Sequence, residues 1–164
     1  MKSFLILIIL FSFQVSFSQN VENRISHIGV SANYENADFI TLVNYSLQNK
    51  KLIFRAGFGV GLRRTVFQGA FFPNIHLSGS YILVQKKSSI IYSGLKAKIS
   101  QLKFINSLER NFGLLPIVGY SVGRKLKIGV EAGIGLGCGT IQSIQKYRFN
   151  YLAFEGNLCL NYAL

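Results

Sequence analysis

Leu126-Lys127-Ile128-Gly129-Val130-Glu131-Ala132-Gly133-Ile134-Gly135-Leu136 alternates without a break. Every even position is apolar, and every odd position is glycine or charged. Successive side chains of a β-strand point to opposite faces, so this stretch predicts a strand with one greasy face and one small or polar face. Leu52 to Leu62 repeats the pattern. Leu52, Phe54, Ala56, Phe58, Val60 and Leu62 share one face, with Ile53, Arg55, Gly57, Gly59 and Gly61 on the other. A soluble sheet covers its greasy face with a second layer. A barrel in a membrane turns that face to lipid and lines its bore with the other.

The rest of the chain supplies no covering layer. Eight strands are predicted, over 25–34, 38–47, 51–62, 74–84, 89–99, 113–122, 126–137 and 149–163. Alternation is plain in most of them. The second and sixth are apolar on both faces in places, which leaves their register less defined. Pro116 lacks an N–H and predicts a bulge or a missing ladder bond. The best helical stretch, Ile105 to Asn111, is too short to cover a sheet. Connections 48–50, 85–88 and 123–125 are short, whereas 63–73, 100–112 and 138–148 are longer; 35–37 is the short exception. Tight turns at one end and longer loops at the other match a bacterial outer-membrane barrel, with the turns in the periplasm. Tyr45, Phe54, Tyr81, Tyr120 and Tyr162 would form an aromatic girdle at the turn end, and Tyr34, Phe39, Phe72 and Phe112 one at the loop end. The predicted fold is therefore all-β: an eight-stranded antiparallel up-and-down transmembrane β-barrel.

The first residues predict export. Lys2 precedes the apolar run Phe4 to Phe11, and Ser16-Phe17-Ser18 offers a small-x-small cleavage site before Gln19. The run is too short for a spanning helix, which takes about 20 residues. Residues 1–18 are read as a signal peptide and 19–164 as the barrel domain, located in the cell outer membrane. The formal net charge is +12. The cations come singly or as pairs in turns (Lys50-Lys51, Lys86-Lys87, Arg124-Lys125), not as a nucleic-acid-binding stripe. An anionic membrane surface suits them better. Cys138 and Cys159 fall at opposite ends of one hairpin, too far apart for a disulfide.

The last strand carries a resemblance. Leu164, Tyr162, Leu160, Leu158, Phe154 and Leu152 fall on one face. This resembles the C-terminal signature by which the barrel assembly machinery recognises bacterial outer-membrane proteins, except that Leu ends the chain where Phe is commonest. Leu114 to Gly137 resembles a strand–turn–strand unit of the small OmpA/OmpX-type barrels, and the signal ending Ser-Phe-Ser-Gln is similar to those of Bacteroidota. The resemblance implies a Gram-negative outer-membrane protein, a monomer handled by the assembly machinery. It transfers architecture rather than activity.

Candidate site residues follow from the faces. Arg55, His76, Lys96, Lys98, Lys127, Glu131 and Glu155 are predicted to point inward as a polar network in the bore. Glu155 is expected opposite Gly129, diagonal to Lys127 and Glu131. An eight-stranded bore is just wide enough for its own side chains, so a plug is favoured over a narrow pore. Arg63, Arg64, Lys103, Arg110 and Lys146, placed in the longer loops, are candidate contacts for lipopolysaccharide phosphates. His76-Leu77-Ser78 resembles the His-x-Ser of lipid A deacylase barrels, but Gly79 replaces the usual Asn and no orienting carboxylate stands out. Glycine-rich Gly133 to Gly139 is not followed by a helix, so it is no phosphate loop; it makes room for large inward side chains. No cofactor, metal site or catalytic residue is predicted. Two further readings stay open: a soluble periplasmic lipocalin-like barrel holding an apolar ligand, and a lipid A deacylase-type outer-membrane enzyme. Envelope integrity or surface interaction through the loops is the leading role.

Overall fold

In the computed structural model, residues 24–35, 38–61, 73–103, 108–142 and 146–164 are described. They form eight strands: β1 Arg24–Glu35, β2 Asp38–Asn49, β3 Leu52–Gly61, β4 Pro73–Gln85, β5 Ser89–Lys103, β6 Leu108–Gly123, β7 Leu126–Gln142 and β8 Lys146–Ala163. Each pairs antiparallel with its neighbour in sequence, and β8 pairs back onto β1 to close the barrel. The signal segment, Leu62 and Phe72 lie outside the described residues.

Closure is staggered. A walk across successive pairs runs Arg24, Asn49, Leu52, Tyr81, Ser93, Val118, Ala132, Gly156 and arrives back on β1 at Tyr34. This stagger tilts the strands by about 40° to the barrel axis. It also removes both sheet edges, so no row of backbone groups is left unpaired at a seam. The last residue is tied in as well: Leu164 N–H donates to the Ser26 carbonyl at 2.9 Å.

The faces sort as alternation requires. On β7, Ile134 is 53% exposed and Leu136 73%, on the outside, whereas Glu131 is 4% exposed in the bore. The two-faced apolarity of strands two and six has a simple cause. Ile40 and Leu42, and Leu115 and Ile117, fill the bore, while their neighbours Phe39, Val43, Leu114 and Val118 coat the outside. The aromatic rings Tyr45, Phe54, Tyr81, Tyr120 and Tyr162 are all exposed near the turn end. At the other end Tyr34 and Phe39 face one another across β1 and β2, their ring centroids 5.1 Å apart. On β6 the outward apolar belt runs from Phe112 to Tyr120, the 9–11 residues that a tilted membrane strand takes.

Three sequence expectations need correction. Most of 100–112 and 138–148 is strand, not loop: β5 reaches Lys103, β6 starts at Leu108, β7 reaches Gln142 and β8 starts at Lys146. Leu108–Asn111, in the best helical stretch, is the start of β6. Thr140, Ile141, Tyr147 and Phe149 are β-branched or aromatic and extend the pleat readily. The β7–β8 connection therefore centres two residues later than the sequence suggested, and the register moves by four: Glu155 faces Gly133, not Gly129. In β6, Leu115 and Pro116 drop out of the ladder with β7 while the register on either side continues unshifted, so Pro116 costs a ladder step without a bulge. A register shift does occur in β4 between Ile82 and Val84, which leaves Leu83 and Val84 both exposed.

The tight turn Arg124-Lys125 depends on Gly123, whose φ is +126°. A Cβ there would run into the backbone of Leu126, on top of the left-handed strain. Gly123→Ala is expected to destabilise the folded barrel by roughly 1–3 kcal/mol. The check is the urea midpoint of the heat-modifiable band on gels; an unchanged midpoint would refute the role of this turn.

Candidate functional site: an ionic clamp across the bore

β3, β5, β7 and β8 each send charged side chains into the middle of the barrel. Glu131 is the centre. Its Oε1 accepts from Lys96 Nζ. Its Oε2 accepts from Arg55 Nη1 at 3.1 Å and from the Tyr92 hydroxyl at 3.2 Å. Lys96 also donates to Glu155 Oε1. One lysine thus clamps two carboxylates from adjacent strands, and one carboxylate gathers three donors from two strands across the bore. The Arg55 guanidinium lies 5.9 Å from the Tyr92 ring centroid, and its Nη1 is 4.0 Å from Cys159 Sγ. Lys96, Glu131 and Glu155 are almost wholly buried. Charges so removed from water persist only when paired and hydrogen-bonded.

The seven residues predicted inward all lie on the bore side of their strands, but they do not make one network. Arg55, Lys96, Glu131 and Glu155 make the clamp. Lys127 sits toward the turn end and donates to Gln48 Oε1 at 3.3 Å. His76 accepts from Asn33 Nδ2 at its Nδ1, 3.2 Å away. Lys98 is buried, with its stem filling the space above Gly113. Glu155 reaches Lys96 across the bore instead of its diagonal neighbours, as the register correction dictates. Tyr92 is the member that sequence reasoning missed. Alternation placed it inward, and the only further signal was an opposing small residue: Gly119, directly across on β6, leaves the space its ring occupies.

Apolar side chains fill the bore on either side of the clamp. Ile53, Ile82 and Ile90 pack with Tyr92 toward the turns. Leu115, Ile117 and Ala153 pack with Tyr151 toward the loops. Gly137 and Gly139 on β7 make room for the Tyr151 and Phe149 rings, the use expected of that glycine run. A cavity of about 20 Å³ lies between the clamp and the turns, lined by His27, Gln48, Arg55 and Lys127 among others. Another of about 10 Å³ lies beside Asn44, His76, Ser78 and Asn157. Both are of the size of a single water.

His76 and Ser78 face this closed interior rather than the outer surface where a lipid substrate would lie. Cys138 is exposed outside the barrel and Cys159 is buried inside; both thiols are free. Among the described residues no group of three or more His, Cys, Asp and Glu side chains is placed to hold a metal ion. Of the cations predicted for the loops, Arg63 and Arg64 lie outside the described residues. Lys103, Arg110 and Lys146 are strand residues at the tops of β5, β6 and β8.

No protein family and no curated protein matches the chain by sequence. Solved structures with a similar trace include Neisserial surface protein A, 12% identical with a TM-score of 0.47 over 85% of this chain and 94% of that one. A major outer membrane protein from Thermus thermophilus is 9% identical, with a TM-score of 0.47 over 86% of this chain and 99% of that one. The barrel architecture stands on the strand register above, not on these likenesses.

Removing the shared carboxylate should cost more than removing the terminal one. Glu131→Ala is expected to lose about 3–5 kcal/mol, because it takes from buried Arg55 its only carboxylate among the described residues, and from Lys96 one of its two. Glu155→Ala, which leaves Lys96 still paired, should lose clearly less. Urea titration of folded barrel in lipid vesicles checks the order; equal losses would mean that the clamp is not centred on Glu131.

Proposed function

We propose that this chain is a non-enzymatic integral barrel of a Gram-negative outer membrane, with a plugged bore and a role in envelope integrity or surface contact at its loop end. The observation that carries this reading is sidedness. Large apolar side chains on all eight strands face outward, while the buried polar and charged ones face inward. A soluble lipocalin-like barrel needs the reverse: an apolar bore for its ligand and a polar exterior. An exterior of this kind, left in water, would expose a continuous apolar surface far beyond what soluble monomers tolerate. Lipid removes that cost.

The plug, rather than a pore, is supported by the clamp. Its ion pairs cross the bore, and apolar clusters lie above and below it. An ion passing through would have to break contacts that the low-dielectric bore makes strong. The deacylase reading has less support, because His76 and Ser78 face the bore and His76 is engaged by Asn33.

Two measurements test the proposal. Fractionation should place the protein in the outer membrane, with faster gel mobility before heating than after; a wash-released, heat-insensitive species would overturn the membrane reading. In planar bilayers the purified barrel should give no steady single-channel conductance, and a stable conductance would overturn the plug.

A further inference from the structure

Among the described residues, the barrel is taller on one side. β5, β6, β7 and β8 have 15, 16, 17 and 18 residues, against 12, 12, 10 and 13 for β1 to β4. The ladder pairs arrange the outward positions of the tall wall into rows. The row Ile99, Phe112, Cys138, Asn150 ends the apolar belt. The next row is Gln101, Arg110, Thr140, Arg148, and above it come Lys103, Leu108, Gln142 and Lys146. Immediately above the belt the composition turns from greasy to cationic and hydrogen-bonding, within one step of the pleat.

The signs are one-sided. Two exposed arginines, Arg110 of β6 and Arg148 of β8, stand on the first of these two rows, and no acid of β5 to β8 occupies a ladder position on either row. Glu109 is off those rows and accepts from Asn111; Glu131 and Glu155 are inside the bore. Arg110 and Arg148 are exposed and flank Thr140 on the strand between them, so their backbones stand about 10 Å apart. The short wall has no counterpart among the described residues: there the top of the belt is the Tyr34–Phe39 ring pair. Arginine presents a planar fork that takes two phosphate oxygens at once.

We propose that this face of β5–β8 is a docking surface for a phosphorylated glycolipid of the outer leaflet. Arg110 and Arg148 bind its headgroup phosphates, and the acyl chains lie on the belt below, along Leu114, Leu136 and Leu152. The inference rests on the membrane reading above. It commits to a lipid because the charge sits at headgroup depth directly over acyl-facing residues, a combination that a free phosphate would not need. Of the cations first assigned to loops, it retains Arg110, and it adds Arg148.

The test uses the full-length mature protein in phosphatidylcholine vesicles doped with bis-phosphorylated lipid A or with the same lipid dephosphorylated. Retention of lipid through purification is counted by native mass spectrometry. The wild-type protein should retain the phosphorylated form about tenfold better, and Arg110→Gln/Arg148→Gln should erase that preference. Lys50→Gln/Lys51→Gln, which removes equal charge at the turn end, should preserve it. The proposal is overturned if wild type shows no preference for the phosphorylated lipid, if the arginine variant keeps it, or if the turn-end variant loses it equally. Outer-membrane fractionation and heat-modifiable mobility are scored in parallel. If they fail for wild type the membrane reading falls; if they hold while the preference is absent, the docking surface alone falls.

Discussion

The staggered closure of β1 onto β8 governs everything else. A sheet with edges must pair or hide its outermost backbone groups, and in hydrocarbon no water is available to do so. Closing eight strands with this tilt satisfies the ladder all round and fixes the width of the bore at what side chains alone can fill. That width decides the interior. It is too wide for glycine and alanine alone to fill, so long side chains must meet across it. Arg55, Tyr92, Lys96 and Glu131 meet because strands on opposite sides of the bore lie within reach of one another.

The interior is not built for maximum stability. A buried ion pair commonly loses more in desolvation than it gains in attraction, and a well-packed apolar replacement is often as stable. Arg55, Lys96, Lys98 and Lys127 also outnumber Glu131 and Glu155 inside. What charge supplies that grease cannot is a distinction between inside and outside. An apolar bore would make the two faces of every strand alike, and a one-residue slip would then turn the barrel inside out at little cost.

Much of this was legible in the residues. The period-two pattern of Leu52–Leu62 and Leu126–Leu136 carried the sidedness, which puts Arg55, Lys127 and Glu131 on the bore side. Hairpin ends were less legible, because Thr140, Ile141 and Tyr147 suit both a polar loop and an extended pleat; the strand lengths and the β7–β8 register were misjudged together. The clamp itself was hidden for a deeper reason. Alternation says which way a side chain points, but not which of seven inward groups meet across the bore, since that depends on the stagger summed over all eight strands. Tyr92 and Gly119 form a size-complementary pair that becomes visible only once β5 and β6 are in register.

The glycine run of β7 has a consequence for assembly. Gly133, Gly135, Gly137 and Gly139 face β8 at four successive inward positions, Gly137 and Gly139 under the Tyr151 and Phe149 rings and Gly133 and Gly135 against β6, so the repeat of glycine by itself does not single out one register. The sequence repeat is therefore degenerate along this hairpin. Charge is not: sliding β8 by two residues in one direction sets Glu155 directly against Glu131, two buried carboxylates facing each other. Sliding it the other way carries Phe149 off glycine and onto Ile141. The closing strand is thus proofread by electrostatics on one side and by bulk on the other, at a place where its backbone alone would accept a slipped match.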